Sequence, residues 1–133
     1  MRCRIRGFIA SLLSMGACQP TPKPAESAGG PPQFDLIISN PPYIPTAEIE
    51  KLQAEVRDFD PRGALDGGAD GQDFFRRIAV EAKSFLKTTG KLMLEFGDGQ
   101  AEAIQKIFAQ EKWIVEAVRE DYTRRPRILI AKL

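Results

Sequence analysis

The sequence predicts an α/β protein from Phe34 to Leu133, and three patterns indicate it. A continuous apolar run rich in β-branched residues, Phe34–Ser39, is typical of a strand in a parallel sheet covered on both faces. Amphipathic segments with apolar residues at helical spacing follow it. Two apolar runs close the chain, and their short connection favours an antiparallel pair. We therefore expect a mostly parallel sheet that ends in an antiparallel hairpin.

The segment after the first strand is predicted to be a helix and then a loop. Apolar residues recur at helical spacing over residues 46–56, and Thr46 is placed to act as the N-cap. Residues 58–71 are rich in Asp, Gly and Pro, which are typical of turns.

The second half of the chain has a clearer pattern. Residues 73–87 predict a strongly amphipathic helix, with Gly90 just past its end. The inward side chains of that helix are expected to be Phe74, Phe75, Ile78, Ala79, Ala82, Phe85 and Leu86. The remaining elements, in order, are a strand over 91–96, a helix over 101–110 and strands over 113–120 and 126–132.

Composition excludes several kinds of catalyst. The 133 residues include no His, which rules out histidine-based catalysis and His metal ligands. The two cysteines, Cys3 and Cys18, lie near the N-terminus, so neither a disulfide framework nor a Cys-rich zinc site spans the body. The formal net charge of +1 argues against a strongly basic nucleic-acid-binding surface. We expect no metal site and no direct contact with nucleic acid.

Residues 1–33 differ in composition from the rest of the chain. A basic start precedes an apolar run of about ten residues, which is shorter than the roughly twenty needed to span a bilayer. This layout is that of a secretory signal peptide, and Gly16-Ala17-Cys18 resembles a lipoprotein cleavage box with Cys18 as the lipidated residue. The alternatives are a leader without an export role and a segment joined by a start-site or frame error. Residues 20–32, rich in Pro, predict a linker or disorder.

The tetrapeptide Asn40-Pro41-Pro42-Tyr43 is the candidate functional motif. It follows a predicted parallel strand at the carboxyl end, where open α/β sheets place their ligands. Two prolines stiffen the loop, because each fixes its own φ and Pro42 also restricts the residue before it. The Asn40 side-chain carbonyl and the Pro41 backbone carbonyl are two acceptors suited to the hydrogens of an –NH₂ group. Tyr43 adds a flat face and a hydroxyl.

This tetrapeptide resembles the Asp/Asn-Pro-Pro-Tyr hallmark of S-adenosyl-L-methionine-dependent methyltransferases that act on planar amino or amide nitrogens. The residues around it narrow the resemblance. They are Ile44-Pro45, Glu55-Val56-Arg57-Asp58, Asp60-Pro61-Arg62, Ala64-Leu65-Asp66-Gly67-Gly68, Asp70-Gly71 and, in the tail, Asp121-Tyr122 and Arg125-Pro126-Arg127-Ile128-Leu129. Together they closely resemble the peptide chain release factor N5-glutamine methyltransferases, the HemK-like family. The resemblance covers about residues 34–133 and implies part of a class I, Rossmann-like methyltransferase fold in the cytoplasm.

The resemblance also implies roles for the motif. Family members grip the glutamine side-chain amide in the Gly-Gly-Gln loop of a release factor. Carried over, Asn40 and the Pro41 carbonyl accept hydrogen bonds from the amide nitrogen, Tyr43 packs on the amide plane, and Pro42 belongs to the same substrate-binding loop. Asn40 also lies beside the methyl end of S-adenosyl-L-methionine. An amide nitrogen is a weak nucleophile, so this chemistry depends on placement and needs no charged base.

Charged residues near the motif have two interpretations. Glu55, Asp58 and Asp66 either shape the substrate entrance or serve in helix capping, turns and surface ion pairs. Arg57 and Arg62 either contact the release factor or are solvated.

One part of the family pattern is absent from the expected place. The Gly-rich turn that binds the cofactor is expected ahead of Phe34, where this chain has the Pro-rich leader. Gly97-Asp98-Gly99 is rejected as a replacement because it follows the strand after the motif. We therefore expect a C-terminal half of the catalytic domain, over residues 34–133, with impaired activity. Without a neighbouring strand, Phe34–Ser39 is expected to form an apolar sheet edge that promotes self-association or aggregation.

Two other functions stay open from the sequence. An adenine-N6 methyltransferase of nucleic acid shares the tetrapeptide but not the residues that follow it. An exported, lipid-anchored or inactive fragment is the non-enzymatic alternative, and it would attach to a membrane through Cys18.

Overall fold

A computed structural model of the protein describes residues 30–133. Most of the predicted leader, residues 1–33, lies outside the described residues, and so does its predicted lipidation site Cys18. The strands are β1 (Phe34–Ser39), β2 (Leu86–Glu95), β3 (Ile114–Glu120) and β4 (Pro126–Lys132). The helices are α1 (Ala54–Phe59), α2 (Arg62–Leu65), α3 (Asp73–Glu81) and α4 (Ala101–Gln110), with 3₁₀-helices at Thr46–Lys51 and Ala82–Ser84. Within this part of the chain, no helix has the length and apolar character that crossing a membrane requires.

The strands form a mixed sheet in the order β1-β2-β4-β3. The pair β1–β2 is parallel, whereas β2–β4 and β3–β4 are antiparallel. The α/β class and the closing hairpin are therefore confirmed. The expectation of a mostly parallel sheet holds only for β1–β2, because β4 enters between β2 and β3 and runs opposite to both.

The parallel pair contains one large irregularity. Phe34 pairs with Leu86, but Leu36 already pairs with Lys91, so residues 87–90 bulge out opposite Asp35. The Lys87 ammonium lies 2.9 Å from the Asp35 carboxylate across this bulge. From Leu36 onward the register is regular up to the pair Ser39–Leu94. The bulge absorbs the extra residues of β2 and leaves the carboxyl ends of both strands aligned.

The prediction for the segment after β1 was wrong in three respects. The helix predicted over 46–56 is a 3₁₀-helix at Thr46–Lys51 followed by the separate helix α1. Thr46 is no N-cap, because its hydroxyl donates to the Asp66 carboxylate at 2.6 Å instead of to a backbone group of its own helix. The loop predicted over 58–71 contains the end of α1 and all of α2, which begins directly after Pro61, a residue whose φ suits a helix start.

The helix predicted over 73–87 is also shorter than expected. It ends at Ser84 as a 3₁₀ turn, and Leu86 already begins β2. Gly90 therefore lies inside a strand and is not a helix C-cap. The cause is tertiary pairing: the Phe34 amide donates to the Phe85 carbonyl at 2.7 Å, and this contact with β1 overrides the helical periodicity.

The hydrophobic core lies between the sheet and the helices α3 and α4. Phe75, Ile78 and Ala79 of α3 and Ile104 and Phe108 of α4 are buried in one cluster, as the helical spacing predicted. The sheet contributes Leu92, Leu94, Leu129 and Ala131, which share a face because side chains alternate along a strand. Phe74 and Phe85, expected inward, are half-buried.

Trp113 ties this core together. Its ring packs edge-on against Phe108 with centroids 5.6 Å apart. The buried indole N–H donates to the Ala79 carbonyl at 2.8 Å, which links the end of α4 to α3. A buried indole N–H needs such a partner.

The opposite face of the sheet is apolar at its β1 edge. Leu36 is 47% exposed and Ile38 is 51% exposed, whereas Ile37 points the other way into the core cluster. Within the described residues β1 pairs only with β2, so its other side presents unpaired backbone groups. Exposed apolar side chains and free backbone groups thus coincide on one strand.

We expect the protein to self-associate through this edge. Replacing Leu36 and Ile38 with Lys puts charge on the exposed face and should shift the protein toward monomer in sedimentation velocity. Val80→Lys is the matched control, since Val80 is 56% exposed on helix α3. A monodisperse monomer with a cooperative melt in the unsubstituted protein contradicts this expectation.

Candidate active site

The motif lies where three strands meet at one edge of the sheet. Asn40 directly follows β1, and the parallel partner β2 ends nearby at Glu95. The Phe96 amide donates to the Arg127 carbonyl at 3.0 Å, which brings the start of β4 to the same edge. The carboxyl ends of β1 and β2 and the beginning of β4 therefore surround the motif loop.

The four motif residues differ in their access to solvent. Asn40 is exposed, Pro41 and Pro42 are buried, and Tyr43 is half-buried against the core cluster. Among the described residues, nothing donates a hydrogen bond to the Asn40 side chain or to the Pro41 carbonyl. Both acceptors named from the sequence are therefore unused within this part of the chain, one at the surface and one in a buried residue.

A second segment braces the motif loop along its outgoing side. The Ile44 amide donates to the Leu65 carbonyl at 3.0 Å, and the Gly67 amide donates to the Ile44 carbonyl at 2.8 Å. The Thr46 amide then donates to the Gly68 carbonyl at 2.9 Å. This short parallel pairing makes residues 64–68 a structural support of the loop.

Two glycines allow this close packing. Gly71 has a φ of +74°, and a Cβ there would collide with the Tyr43 carbonyl oxygen. At Gly97, a Cβ would lie 2.9 Å from Cδ2 of Tyr43. Gly97, the first residue of the loop Gly97-Asp98-Gly99, is therefore packed against the motif.

Asp66 has a structural role in the brace. Its carboxylate accepts from the Thr46 hydroxyl at 2.6 Å and from the Gly68 amide at 3.0 Å. These donors stabilise the ionised carboxylate and hold the pKa of Asp66 below its usual value, helped by the Arg62 guanidinium. Of the two interpretations for Asp66, the structure shows turn chemistry.

The other charged candidates lie on the surface. Arg57 pairs with its neighbour Asp58 at 2.7 Å, and Arg62 reaches Glu50 at 3.3 Å. Glu55 is exposed on α1. Ion pairs as exposed as these contribute about 0–1 kcal/mol. A contact of the two arginines with a protein substrate stays a prediction.

Gln100 is a site residue that the sequence did not indicate. Its side-chain amide donates to the Tyr43 carbonyl at 2.9 Å, while its oxygen accepts from the Gly97 amide at 2.9 Å. One side chain therefore connects the motif loop to the loop after β2. A glutamine at the start of α4 gives no sequence signal for this contact, because the partner lies in another part of the chain.

Arg127 is a second site residue, which the sequence placed in the tail segment of the resemblance but to which it gave no role. Nη2 of Arg127 donates to the Tyr43 hydroxyl oxygen at 3.0 Å and to Glu95 Oε1 at 3.2 Å. The guanidinium carbon lies 5.5 Å from the centroid of the Tyr43 ring, within cation–π range. Arg127 thus contacts both the ring and the hydroxyl of the motif tyrosine.

Few groups near the motif suit a cofactor or a metal. Asn40 is the exposed polar side chain of the loop. Gln100 and Tyr43 occupy the space beside Gly97, so no ligand fits against that residue. Over residues 30–133, the structure groups no three His, Cys, Asp or Glu side chains in a way that could hold a metal ion.

The lowered pKa of Asp66 predicts a pH-dependent stability. Because the pKa is depressed in the folded state, the contribution of Asp66 is present above its ordinary pKa, near 4, and is lost as the pH falls through the lowered folded value. Asp66→Asn should therefore flatten the fall of the unfolding free energy below about pH 4. Denaturant titrations followed by Trp113 fluorescence measure this.

A matched variant isolates the cause. Thr46→Val removes the strongest donor to Asp66 but keeps the carboxylate. It should lessen the acid sensitivity in the same pH range, and to a smaller extent than Asp66→Asn. Parallel stability curves for the wild-type protein and both variants contradict the role given to Asp66.

Comparison with known proteins identifies relatives of the chain. No family model matches it. A release factor glutamine methyltransferase of Geobacter sulfurreducens is 56% identical over 81 residues, which are 61% of this chain and 28% of that protein. One of Rhodospirillum rubrum is 43% identical over 108 residues, 81% of this chain and 33% of that protein. A bifunctional methyltransferase of Rickettsia felis is 40% identical over 76% of this chain and 19% of its own length.

These relatives are longer than the chain, which spans about a third or less of the length of the curated relatives that it matches. The 108 aligned residues cover most of the described part of the chain, including the motif Asn40–Tyr43 and the supporting residues 64–68. By sequence, the chain therefore belongs to the family of the release factor glutamine methyltransferases and corresponds to a C-terminal part of those proteins.

Proposed function

We propose that residues 34–133 form the substrate-gripping part of an enzyme that methylates a glutamine side-chain amide of a peptide chain release factor, in its Gly-Gly-Gln motif. The observation that carries the proposal is the braced motif loop at the carboxyl end of β1. In it the acceptors of Asn40 and Pro41 have no partner among the described residues, and the Tyr43 ring is half-buried against the core cluster. The names of the relatives supply the substrate class.

The chemistry explains why such a loop is useful. The nitrogen lone pair of a carboxamide is delocalised into the carbonyl group, so the nitrogen is a poor nucleophile. Two acceptors that bind its two hydrogens increase electron density at nitrogen and fix its direction. Asn40 meets the amide at the surface, and the Pro41 carbonyl receives the second hydrogen once the amide lies in the loop. Placement of this kind contributes several kcal/mol, with about 7–11 kcal/mol as the ceiling for ideal orientation.

Rigidity of the loop is the requirement for that contribution. The Tyr43 carbonyl is held by Gln100, and Ile44 is held on both its amide and its carbonyl by residues 65–67. These bonds leave the Pro41 carbonyl as an unused acceptor in a buried residue. A buried carbonyl without a donor costs free energy, so a substrate N–H that satisfies it is bound more tightly.

S-adenosyl-L-methionine supplies the methyl group when it is bound. Asn40 is the described residue that would lie beside its methyl end, as the resemblance implies. The resemblance expects the Gly-rich cofactor turn ahead of Phe34, and Gln100 and Tyr43 occupy the space beside Gly97. We therefore assign the described residues to the substrate side of the site and to only a small part of the cofactor side.

Calorimetry with S-adenosyl-L-methionine tests this division. We expect the purified chain to show no saturable binding at cofactor concentrations that suffice for complete methyltransferases. Clear saturable binding overturns the view that residues 34–133 form only a small part of the cofactor side.

The grip on the amide is tested by Asn40→Ala. We expect the affinity for a release factor to fall by about tenfold, because one acceptor for a desolvated N–H is lost. Isothermal titration measures it, and Gln110→Ala, an exposed amide at the end of α4, is the control. If S-adenosyl-L-methionine binds, Asn40→Ala should also abolish methylation while barely changing the fold.

A double-mutant cycle makes the test specific. Asn40→Ala should weaken binding of the unchanged release factor, but it should have little or no further effect once the Gly-Gly-Gln glutamine has been replaced by alanine. Additive effects, or an unchanged affinity of Asn40→Ala, rule out the role given to Asn40.

The two other functions considered from the sequence depend on separate observations. Nucleic-acid adenine methylation is not favoured, since the relatives are named for a protein substrate and the chain has a net charge of only +1. Lipid attachment at Cys18 concerns residues outside the described part, and mass spectrometry of the expressed protein decides it. Action in the cytoplasm is part of the proposal.

A further inference from the structure

We propose that Arg127 is a positioning residue that sets the orientation of the Tyr43 ring, and that Glu95 anchors Arg127 for this task. The proposal rests on the proposed function, in which Tyr43 packs on the substrate amide. It assigns a role to two residues outside the motif, one at the end of β2 and one at the start of β4.

The geometry places Arg127 on both parts of the tyrosine. Its Nη2 donates to the Tyr43 hydroxyl oxygen at 3.0 Å, and the guanidinium carbon lies 5.5 Å from the ring centroid. The side chain of Arg127 is only 23% exposed, so these contacts are partly shielded from water. Shielding strengthens a hydrogen bond from a charged donor.

The Tyr43 ring packs on the core cluster, but no other hydrogen bond in the described part holds it. Gln100 holds the Tyr43 carbonyl, and residues 65–67 hold Ile44, but these bonds fix the backbone and not the ring. Gly97 lets the loop after β2 approach one edge of the ring. Arg127 is the residue in the described part that bonds the hydroxyl, at the end of the side chain where a rotation about χ1 moves atoms furthest.

Glu95 explains why the guanidinium stays in place. Its Oε1 accepts from the same Nη2 at 3.2 Å. Arg127, on β4, thereby bridges the Glu95 carboxylate on β2 and the Tyr43 hydroxyl in the loop after β1. An arginine can do this with one planar group that also faces an aromatic ring, whereas a lysine ammonium offers neither the plane nor the fixed fork of donors.

The bond also affects the Tyr43 hydroxyl itself. The oxygen accepts from Arg127, so the hydroxyl hydrogen is free to be donated to another group. In the proposed function Tyr43 meets the substrate amide with the face of its ring, so the hydroxyl serves the contact with Arg127 and not the amide itself.

The first measurement follows the ring directly. The chain contains two tyrosines. Tyr122 is fully exposed at the tip of the β3–β4 hairpin, so its signals are an internal reference for those of Tyr43. In spectra of protein with ring-labelled tyrosine, Arg127→Met should shift the Tyr43 signals and weaken the nuclear Overhauser contact between the ring and Gly97. The Tyr122 signals should not move.

Arg125→Met is the matched control. It removes the same charge from the same hairpin and breaks one ion pair, the 2.9 Å contact of Arg125 with Asp98. It should leave the Tyr43 ring signals unchanged. Arg127→Lys should give an intermediate shift, and Trp113 fluorescence reports whether each variant is folded. Should Arg127→Met unfold, Arg127→Lys and Glu95→Gln are compared in its place.

The second measurement links the ring to the substrate. Arg127→Met should weaken release-factor binding by about tenfold, and Arg125→Met should not. In a Tyr43→Phe background, which has no hydroxyl to hold, Arg127→Met should have a much smaller effect. A purely structural role of Arg127 would instead lower stability equally in both backgrounds.

The outcomes separate the two proposals. An unchanged Tyr43 ring in Arg127→Met, or equal losses of affinity in Arg127→Met and Arg125→Met, overturns the positioning role. A different result is that Arg127→Met shifts the Tyr43 ring signals while the wild-type protein binds no release factor. That result contradicts the proposed function but establishes the contact between Arg127 and Tyr43.

Discussion

The parallel pairing of β1 with β2 is the constraint on which the site depends. Over Leu36–Ser39 and Lys91–Leu94 the register is regular, and this regularity delivers both strand ends to the same place. The loop after β1 and the loop after β2 can then be joined by the single side chain of Gln100. Because β4 is antiparallel to β2, its first residues, and not its last, arrive at the same edge. A shift of this pairing would separate all three parts of the site.

The support of the motif is built mainly from neutral hydrogen bonds. The loop is fixed by backbone hydrogen bonds between residues 44–46 and 65–68 and by the two hydrogen bonds of the Gln100 side chain. These bonds place no charge beside the proposed position of the substrate amide. The charged groups are Arg127, which contacts the Tyr43 hydroxyl, and Asp66, whose carboxylate accepts from Thr46. Exposed ion pairs on α1 and α2 add little to stability. Such a division suits a reaction that depends on placing an uncharged nucleophile.

The sequence predicted the elements whose signals are local. The run Phe34–Ser39, the amphipathic helix α4 and the hairpin of β3 and β4 are found where apolar spacing put them. The end of the helix after Asp73 was placed too late, since the contact of Phe34 with Phe85 starts β2 where the periodicity still reads as helix. Thr46 failed as a cap for a similar reason: its partner, Asp66, is remote in sequence.

The same distinction holds for the site. The motif residues Asn40 to Tyr43 were visible because two prolines after a strand are a strong local signal. Residues 64–68 were noticed as part of a resemblance, but their pairing with the motif loop required the fold. The roles of Gln100 and Arg127 carry no local signal, because each contacts Tyr43 from another part of the chain. The role of Glu95 carries none either, because its partner Arg127 lies on another strand.

The bulge at residues 87–90 has a consequence for how this protein can change. It lies at the start of the β1–β2 pair, opposite Asp35, and regular pairing resumes beyond it at Leu36 and Lys91. Insertions or deletions there would be absorbed locally, since the next pair, Leu36 with Lys91, restores the alignment. The amino end of the strand pair is thus free to vary in length during evolution or engineering, while the carboxyl end keeps its geometry.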